Sequence, residues 1–345
     1  MNLKELSKSL GLSQTTVSRA LNGYPEVKEE TRARVVEAAR EHNYRPNLRA
    51  RSLATGRAQA IGHVLPISTR HELVNPIFAD FVAGAGEIYT LSGYEMLLSV
   101  VPDDDESATY SNLQARGAVD GVVLHSPVMA EPRIGLLRDL GLPFVVHGRA
   151  SDVACGYDFV DVDNHRAFHR ATSFLLALGH RRIGLVNGIE SFDFAHRRRR
   201  GYLDALAEAG QRTGPELMAS GEMTEQFGYR TAAQQLRLPD PPSAFVVASI
   251  ITAMGVRRAV EEQGLTLGRD VSVVTFDDEL SYLANSGEVP MFTAMRSSIR
   301  TAGRQVAEML LRRIDTPQLP PQGLLLEADL VIGRSTARRP ESAGA

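Results

Sequence analysis

The chain has 345 residues, 43% of them hydrophobic and 23% charged; this length suits a small module joined to a large one, and the composition excludes wholesale disorder. The formal net charge of −3 conceals an asymmetry. Residues 1–58 hold eleven Lys/Arg against six Glu, a surplus of five positive charges that leaves the remainder eight negative. A basic head on an acidic body is the electrostatic footprint of a protein whose head alone meets a polyanion.

The start, MNLKELSKSLGLSQ, lacks an apolar stretch followed by small cleavage residues, and no run of about 18 apolar residues follows anywhere. The chain is therefore expected to stay in the cytoplasm and off the membrane. A lone cysteine, Cys155, excludes an internal disulfide, and by itself supplies neither a zinc site nor a CxxC pair. It reads as an inert loop residue.

In chain order, Asn2 precedes the apolar pattern Leu3, Leu6, Leu10 and has Glu5 three residues on, the signature of a capped helix start. Gly11 can end that helix in a left-handed turn, and Ser13 is placed to cap a second one from Gln14 to about Asn22. In the second helix Val17, Ala20 and Leu21 face inward, while Gln14, Thr15, Ser18, Arg19 and Asn22 share a polar outer face. Gln and Arg can pair bidentately with base edges in a major groove, and Thr can offer a hydroxyl or a methyl. Gly23, Tyr24 and Pro25 break the helix. A third follows over 29–42, with Thr31, Val35, Ala38 and Ala39 inward. Residues 47–57 carry Arg49, Arg51 and Arg57 around Leu53 and are too few to fold alone.

From Ala60 onward, short Val/Ile/Leu-rich runs alternate with helical patterns near 76–92, 105–116, 164–178, 197–209 and 251–263. This alternation predicts β-α-β units with parallel sheets, and more than ten elements imply two lobes with a cleft between them. Ligands of such sheets gather at the carboxyl ends of the strands. Arg197–Arg200 falls at the expected start of a helix, where the helix dipole disfavours cations, so the cluster implies a task.

The stretch LSQTTVSRALNGYPEVKEETRARVVEAA, then YRP, then ARSLATG, closely resembles the headpiece and hinge of the lactose-repressor (LacI/GalR) family. NPIFADFVAGA, DGVVLHSP, VDVDN, LGHRRIGLVNG, RRRGYLDAL and VSVVTFDD resemble the periplasmic-binding-protein-like sensor of the same family, so the resemblance covers residues 1 to about 335. It implies an α/β fold with a helix-turn-helix DNA-binding domain at 1–46, a hinge helix and linker at 47–58, a two-lobed effector domain at 59–337, and a flexible tail at 338–345. The chain would cross between lobes near 161, 290 and 326. Gln14, Thr15, Thr16, Ser18, Arg19 and Asn22, with Arg51 and Leu53 from the hinge, would meet DNA. Leu53 matches the leucine that wedges into the minor groove.

The resemblance also assigns effector contacts to Asn75, Pro76 and Phe78 in the first lobe, His125 after its third strand, Arg198, and Asp277. A polyol suits this set: Arg198 donates a fork, Asp277 accepts from hydroxyls, and Phe78 can stack on a sugar ring. Two departures bear on the ligand and the head. Ser249 and Ile250 stand where the family commonly has Asn-Asp in the pocket wall, and Lys28 stands where a capping residue is usual. AIGHVLPIS, GYEMLLSV, LPFVVHGRAS and MRSSIR are similar to regulators of alpha-glucoside utilisation in alpha-proteobacteria.

The function implied is a sequence-specific DNA-binding repressor of sugar uptake and utilisation genes, released from its operator by an alpha-glucoside or disaccharide. A homodimer on a near-palindromic operator is expected, since one small head makes too few contacts for tight specific binding, and the tail ARRPESAGA has no leucine heptad. No cofactor or metal is implied. Two rivals remain at this stage: a sugar-binding protein with no DNA role, and a sugar-processing enzyme. The first would need export, and the second finds no GxxxxGK[ST], GxSxG or HExxH in the chain. The acidic run Asp103, Asp104, Asp105 lacks Ca²⁺-loop spacing and reads as a solvated loop.

Overall fold

The structure is a computed structural model that describes residues 1–44, 56–66, 75–102, 105–154, 156–276, 279–283, 285 and 288–339. The expected hinge helix with Arg51 and Leu53, as well as Asp103, Asp104, Cys155, Asp277 and the last six residues, lies outside the described residues.

Three helices form the head: α1 (Leu3–Leu10), α2 (Gln14–Leu21) and α3 (Glu29–Glu41). Local chemistry sets their ends. Asn2 and Glu5 make a reciprocal capping box, Gly11 closes α1 at φ 67°, and the Ser13 hydroxyl accepts from the Thr16 amide to start α2. Lys28 begins α3 with no side-chain cap. Leu6, Val17, Ala20, Val27, Val35 and Ala39 make the shared core, with Thr31 and Ala38 half-buried at its edge.

The body is two lobes with the same strand order. Lobe 1 has β1 (Ala60–Pro66), α4 (Pro76–Leu91), β2 (Glu95–Val101), α5 (Glu106–Ala115), β3 (Gly121–His125), α6 (Pro132–Asp139), β4 (Phe144–His147) and β5 (Phe159–Val162). Lobe 2 has α7 (Asn164–Ala177), β6 (Ile183–Asn187), α8 (Asp193–Glu208), β7 (Met218–Ser220), α9 (Glu225–Gln235), β8 (Ala244–Val247), α10 (Ile250–Glu262), β9 (Ser272–Phe276) and β10 (Thr293–Arg296). The chain then returns to lobe 1 for α11 (Ile299–Asp315) and β11 (Gly323–Leu326), and ends in lobe 2 with β12 (Asp329–Val331). The sheets run β11-β5-β4-β3-β1-β2 and β12-β10-β9-β8-β6-β7. Every pairing is parallel except β10 with β12, which is antiparallel.

Central strands β3, β6, β8 and β9 are buried along their whole length, as continuous apolar runs require when helices cover both faces. The second crossing comes after β10, beyond the expected 290, because β10 still pairs with β9. Helix pairs approach closely where side chains are absent. A Cβ on Gly84 of α4 would lie 2.1 Å from the Arg300 carbonyl oxygen of α11, and one on Gly201 of α8 would lie 2.1 Å from that of His165 in α7.

Helix α8 begins at Asp193, earlier than the sequence pattern implied, with Phe192 at its cap and no side-chain capping bond. Arg197–Arg200 therefore sits in the second turn behind an acidic first turn. The unfavourable cation-at-terminus argument does not apply to it.

Candidate DNA-binding and effector sites

On the head, Gln14, Thr15 and Arg19 are exposed and Ser18 and Asn22 half-buried, and together with Leu3 and Tyr24 they line one shallow groove. Asn22 donates to the Ser18 hydroxyl at 3.4 Å. The Thr16 hydroxyl turns back to that of Ser13 at 2.8 Å and is thereby engaged in the cap. The face thus offers a carboxamide, a hydroxyl and a guanidinium at helical spacing, a donor and acceptor set suited to base edges.

Between the lobes lies a cleft of about 890 Å³, part of it open to solvent. Its lobe 2 wall is organised by Arg198 of α8, which is buried. The guanidinium Nε donates to Asn164 Oδ1 at 2.7 Å and an Nη to the Ala248 carbonyl at 2.9 Å. Three rings surround it: Phe276 at 4.2 Å, Phe194 at 4.9 Å and Phe168 at 5.0 Å from the guanidinium carbon. Three ring faces so close to the guanidinium add cation–quadrupole attraction to its hydrogen bonds.

Asn164 also donates to Asp161 at 3.1 Å, and Arg149 donates to the other Asp161 oxygen at 2.7 Å. A polar string, Arg149 to Asp161 to Asn164 to Arg198, therefore runs along the cleft floor from lobe 1 into lobe 2. Burial raises the Asp161 carboxyl above the usual range, and the Arg149 bond opposes that rise.

The lobe 1 wall is built from phenylalanine and histidine. Asn75 caps α4 by accepting from the Ile77 amide at 3.0 Å, and Asn75, Phe78, Phe81 and His147 line the cavity. His125 does not reach it. Its Nε2 lies 3.0 Å from His63 Nδ1, whose other nitrogen is 3.4 Å from the Tyr89 hydroxyl, and Phe78 and Phe81 cover it edge-on at 5.3 and 5.1 Å. His147, stacked on Phe81 at 4.2 Å, takes the wall position instead. Burial holds all three imidazoles neutral: His63 is pushed down to about 3, His147 to about 4, and His125 well below its ordinary value.

Other expected contacts also fall elsewhere. Ser249 is fully buried and caps α10 through the Thr252 amide at 3.2 Å, so it is a helix start rather than a wall residue. Pro76 occupies the first turn of α4 and is not among the lining residues. Sequence reasoning missed Asn164, Asp161, Arg149, Phe194 and Phe276. The VDVDN stretch ending at Asn164 was the available signal for the first two.

Both flanks of the cleft are closed by contacts between lobes. Asp193 of lobe 2 accepts from the Ser151 amide at 2.7 Å, and also from the Ser151 hydroxyl and the Arg197 guanidinium. Opposite, Asp80 of α4 accepts from the Ser281 amide and hydroxyl at 2.7 and 2.6 Å. No helix among the described residues is long and apolar enough to cross a membrane, and no cluster of His, Cys, Asp or Glu among them is set to hold a metal.

Residues 2–47 match the family model for bacterial regulatory proteins of the lacI family, and residues 172–336 match that for a periplasmic binding protein-like domain. The HTH-type transcriptional regulator AglR of Rhizobium meliloti (strain 1021) is 43% identical over 341 residues, covering 99% of this chain and 96% of that one. Among solved structures, a transcriptional regulator CelR–cellobiose complex matches with a TM-score of 0.72 at 29% identity, over 97% of this chain and 99% of that one. The lac repressor dimer bound to operator and the anti-inducer ONPF matches at 0.84 with 25% identity, over 98% and 99%. A capped helix-turn-helix head, two parallel-sheet lobes around a cleft and full-length similarity agree: this chain belongs to the LacI family and is a DNA-binding transcriptional regulator.

Proposed function

We propose that this regulator is a cytoplasmic, homodimeric repressor of sugar-utilisation genes that lets go of its operator when an uncharged alpha-glucoside or disaccharide enters the cleft. The observation that carries the reading is Arg198, buried under three phenylalanines at the join of the two lobes and continued by Asn164, Asp161 and Arg149. Both arginines of the string already have acceptors. Their remaining capacity suits hydroxyls better than a phosphate or carboxylate, which would demand a cation not engaged elsewhere. Aromatic rings at Phe78, Phe194 and Phe276 suit the apolar faces of sugar rings. The disaccharide complex of a similar regulator supports this class.

On DNA, Gln14, Thr15 and Arg19 read base edges in the major groove, Ser18 and Asn22 support them, and Leu53 wedges into the minor groove between two heads of the dimer. Binding without turnover is the chemistry proposed, because the cleft residues form a recognition set rather than a nucleophile with its base. A ligand that bridges the walls favours one closure of the lobes and so biases the DNA-binding state.

Calorimetry with sucrose, trehalose, maltose, cellobiose, glucose and sugar phosphates tests the reading. One neutral disaccharide should bind, with binding abolished in Arg198→Ala. A preference for sugar phosphates, or unchanged binding in the variant, would overturn it.

A further inference from the structure

We infer that Asp120, assisted by Asp315, is a positioning clamp that makes the base of the DNA linker part of lobe 1, so that movement of that lobe is delivered to the DNA-binding head. The inference rests on the reading that a cleft ligand controls DNA binding, but the clamp itself is visible without a ligand. Its two carboxylate oxygens each accept one of two consecutive backbone amides, Ala58 at 2.7 Å and Gln59 at 2.8 Å, and its own amide donates to the Ala60 carbonyl at 2.9 Å. One residue earlier the Arg57 guanidinium pairs with Asp315 at 2.6 Å. Three consecutive residues are thus tied to lobe 1 just where the chain arrives from the head. The exposed Arg57–Asp315 pair contributes little alone. Its effect is to fix register together with the half-buried Asp120.

The backbone at this point has a conformation that needs holding. Gln59 sits at φ 53°, in the left-handed region where a side chain is disfavoured, and the clamp contacts it directly. Without the clamp, residues 57–59 are a short hinge that can absorb a rotation of lobe 1. With it, β1 and the linker turn together.

The far end of the connection is the cleft. Asp315 is the last residue of α11, a 17-residue helix about 25 Å long, and Ile299 and Ala302 at its other end line the cavity. Helix α11 cannot slide against α4, which carries Asn75 and Phe78, because the Gly84 and Gly303 contacts bring backbone against side-chain-free backbone. The cleft wall and the anchor of the linker belong to one rigid pair of helices, the kind of element that can carry coupling between distant sites.

The test measures the full-length protein, wild type against Asp120→Ala, by three readouts. The first is hydrogen exchange at the amides of 58 and 59. The second is affinity, with no sugar present, for a duplex that the wild type selects from a random DNA pool. The third is the change in that affinity on adding whichever of maltose, sucrose, trehalose or cellobiose the wild type binds. Exchange at 58 and 59 should accelerate and sugar-free operator affinity should fall about tenfold. The operator response to sugar, on the order of 5- to 150-fold in coupled systems, should shrink toward one while sugar affinity stays within about twofold. Faster exchange with unchanged operator affinity and response would overturn the clamp's role. Should Asp120→Ala fail to fold, Asp120→Asn, which removes one of the two acceptor oxygens, gives the same reading with smaller loss of structure. If no sugar of the set binds the wild type, the ligand reading fails while the sugar-free operator affinity still decides the clamp.

Discussion

The two lobes share one strand order but turn different side chains toward the cleft. Lobe 1 turns toward the cleft a wall of rings, Phe78, Phe81 and His147, backed by His125 and His63, with every imidazole neutral because it is buried. Lobe 2 presents Arg198, whose guanidinium lies among three phenylalanines, of which Phe194 and Phe276 also line the cleft. Matching backbones therefore specify where a ligand lies and not what it is, since recognition resides in side chains placed at equivalent strand ends. An occupant touching both walls meets rings on each, with hydrogen-bonding groups at Arg149 and Asp161 of lobe 1 and Arg198 of lobe 2.

The first way to break this comparison is to damage each lobe by the same device. Gly84→Ala in lobe 1 and Gly201→Ala in lobe 2 each drive a Cβ to 2.1 Å from a carbonyl oxygen on the neighbouring helix. Each should cost about 3 kcal/mol in denaturant unfolding, because overpacked helix pairs must separate. A negligible loss in either would mean that its helix pair has slack and that the lobes are not built alike.

Acidification tests the lobe 1 histidine cluster next, with His180 of lobe 2, also lowered by burial, acting in the same sense. The unfolded chain takes up protons on histidine near 6.5, whereas folded His63 and His147 refuse them until about 3 and about 4. Stability should be complete above about 6.5 and fall as pH drops toward 4, by roughly 1.4 kcal/mol per pH unit for each buried histidine. Asp161, held above the usual carboxyl range by burial, works in the opposite sense as one group. Urea midpoints at pH 7, 6 and 5 measure the slope, and Gln in place of His63 should remove its share. A flat profile would contradict neutral burial of the cluster.

A smaller effect sharpens the lobe 1 wall. His147→Ala should weaken sugar binding about tenfold, about 1.4 kcal/mol for one lost hydrogen-bonding group, with His125→Gln acting mainly on thermal stability through the lost His63 contact. Calorimetry alongside thermal unfolding separates them, and the reverse pattern would return His125 to the site. The smallest change is on the head. Lys28→Ser should add about 1 kcal/mol of helix stability, since position 28 is already extended at φ −55°, ψ 141° and lacks a capping bond.

What the sequence disclosed follows the range of the interactions. Asn2, Glu5, Gly11 and Ser13 act within one helical turn, so their caps could be read directly and recur in the structure. Arg198 was given by the family resemblance, but its partner Asn164 was not, because that bond depends on how α7 and α8 pack at Gly201. His125 and His147 are aligned Cα partners at the ends of β3 and β4. Nothing local determines which of the two imidazoles reaches the cleft. Ser249 was expected at the pocket wall from the family resemblance, yet it precedes a helix, and capping Thr252 is where its hydroxyl is engaged. Helix α11 went unread although it links the cleft to the linker; its apolar face is largely Ala, Gly, Val and Leu and acquires meaning only against α4.

The most direct measurement of the central claim is fluorescence anisotropy of labelled operator duplex with wild type and Arg198→Ala, titrated with the disaccharide that calorimetry identifies. The account expects both proteins to bind operator with similar affinity and only the wild type to release it as sugar rises. Release of operator by the variant at the same sugar concentration would contradict a ligand held at Arg198 between the two lobes.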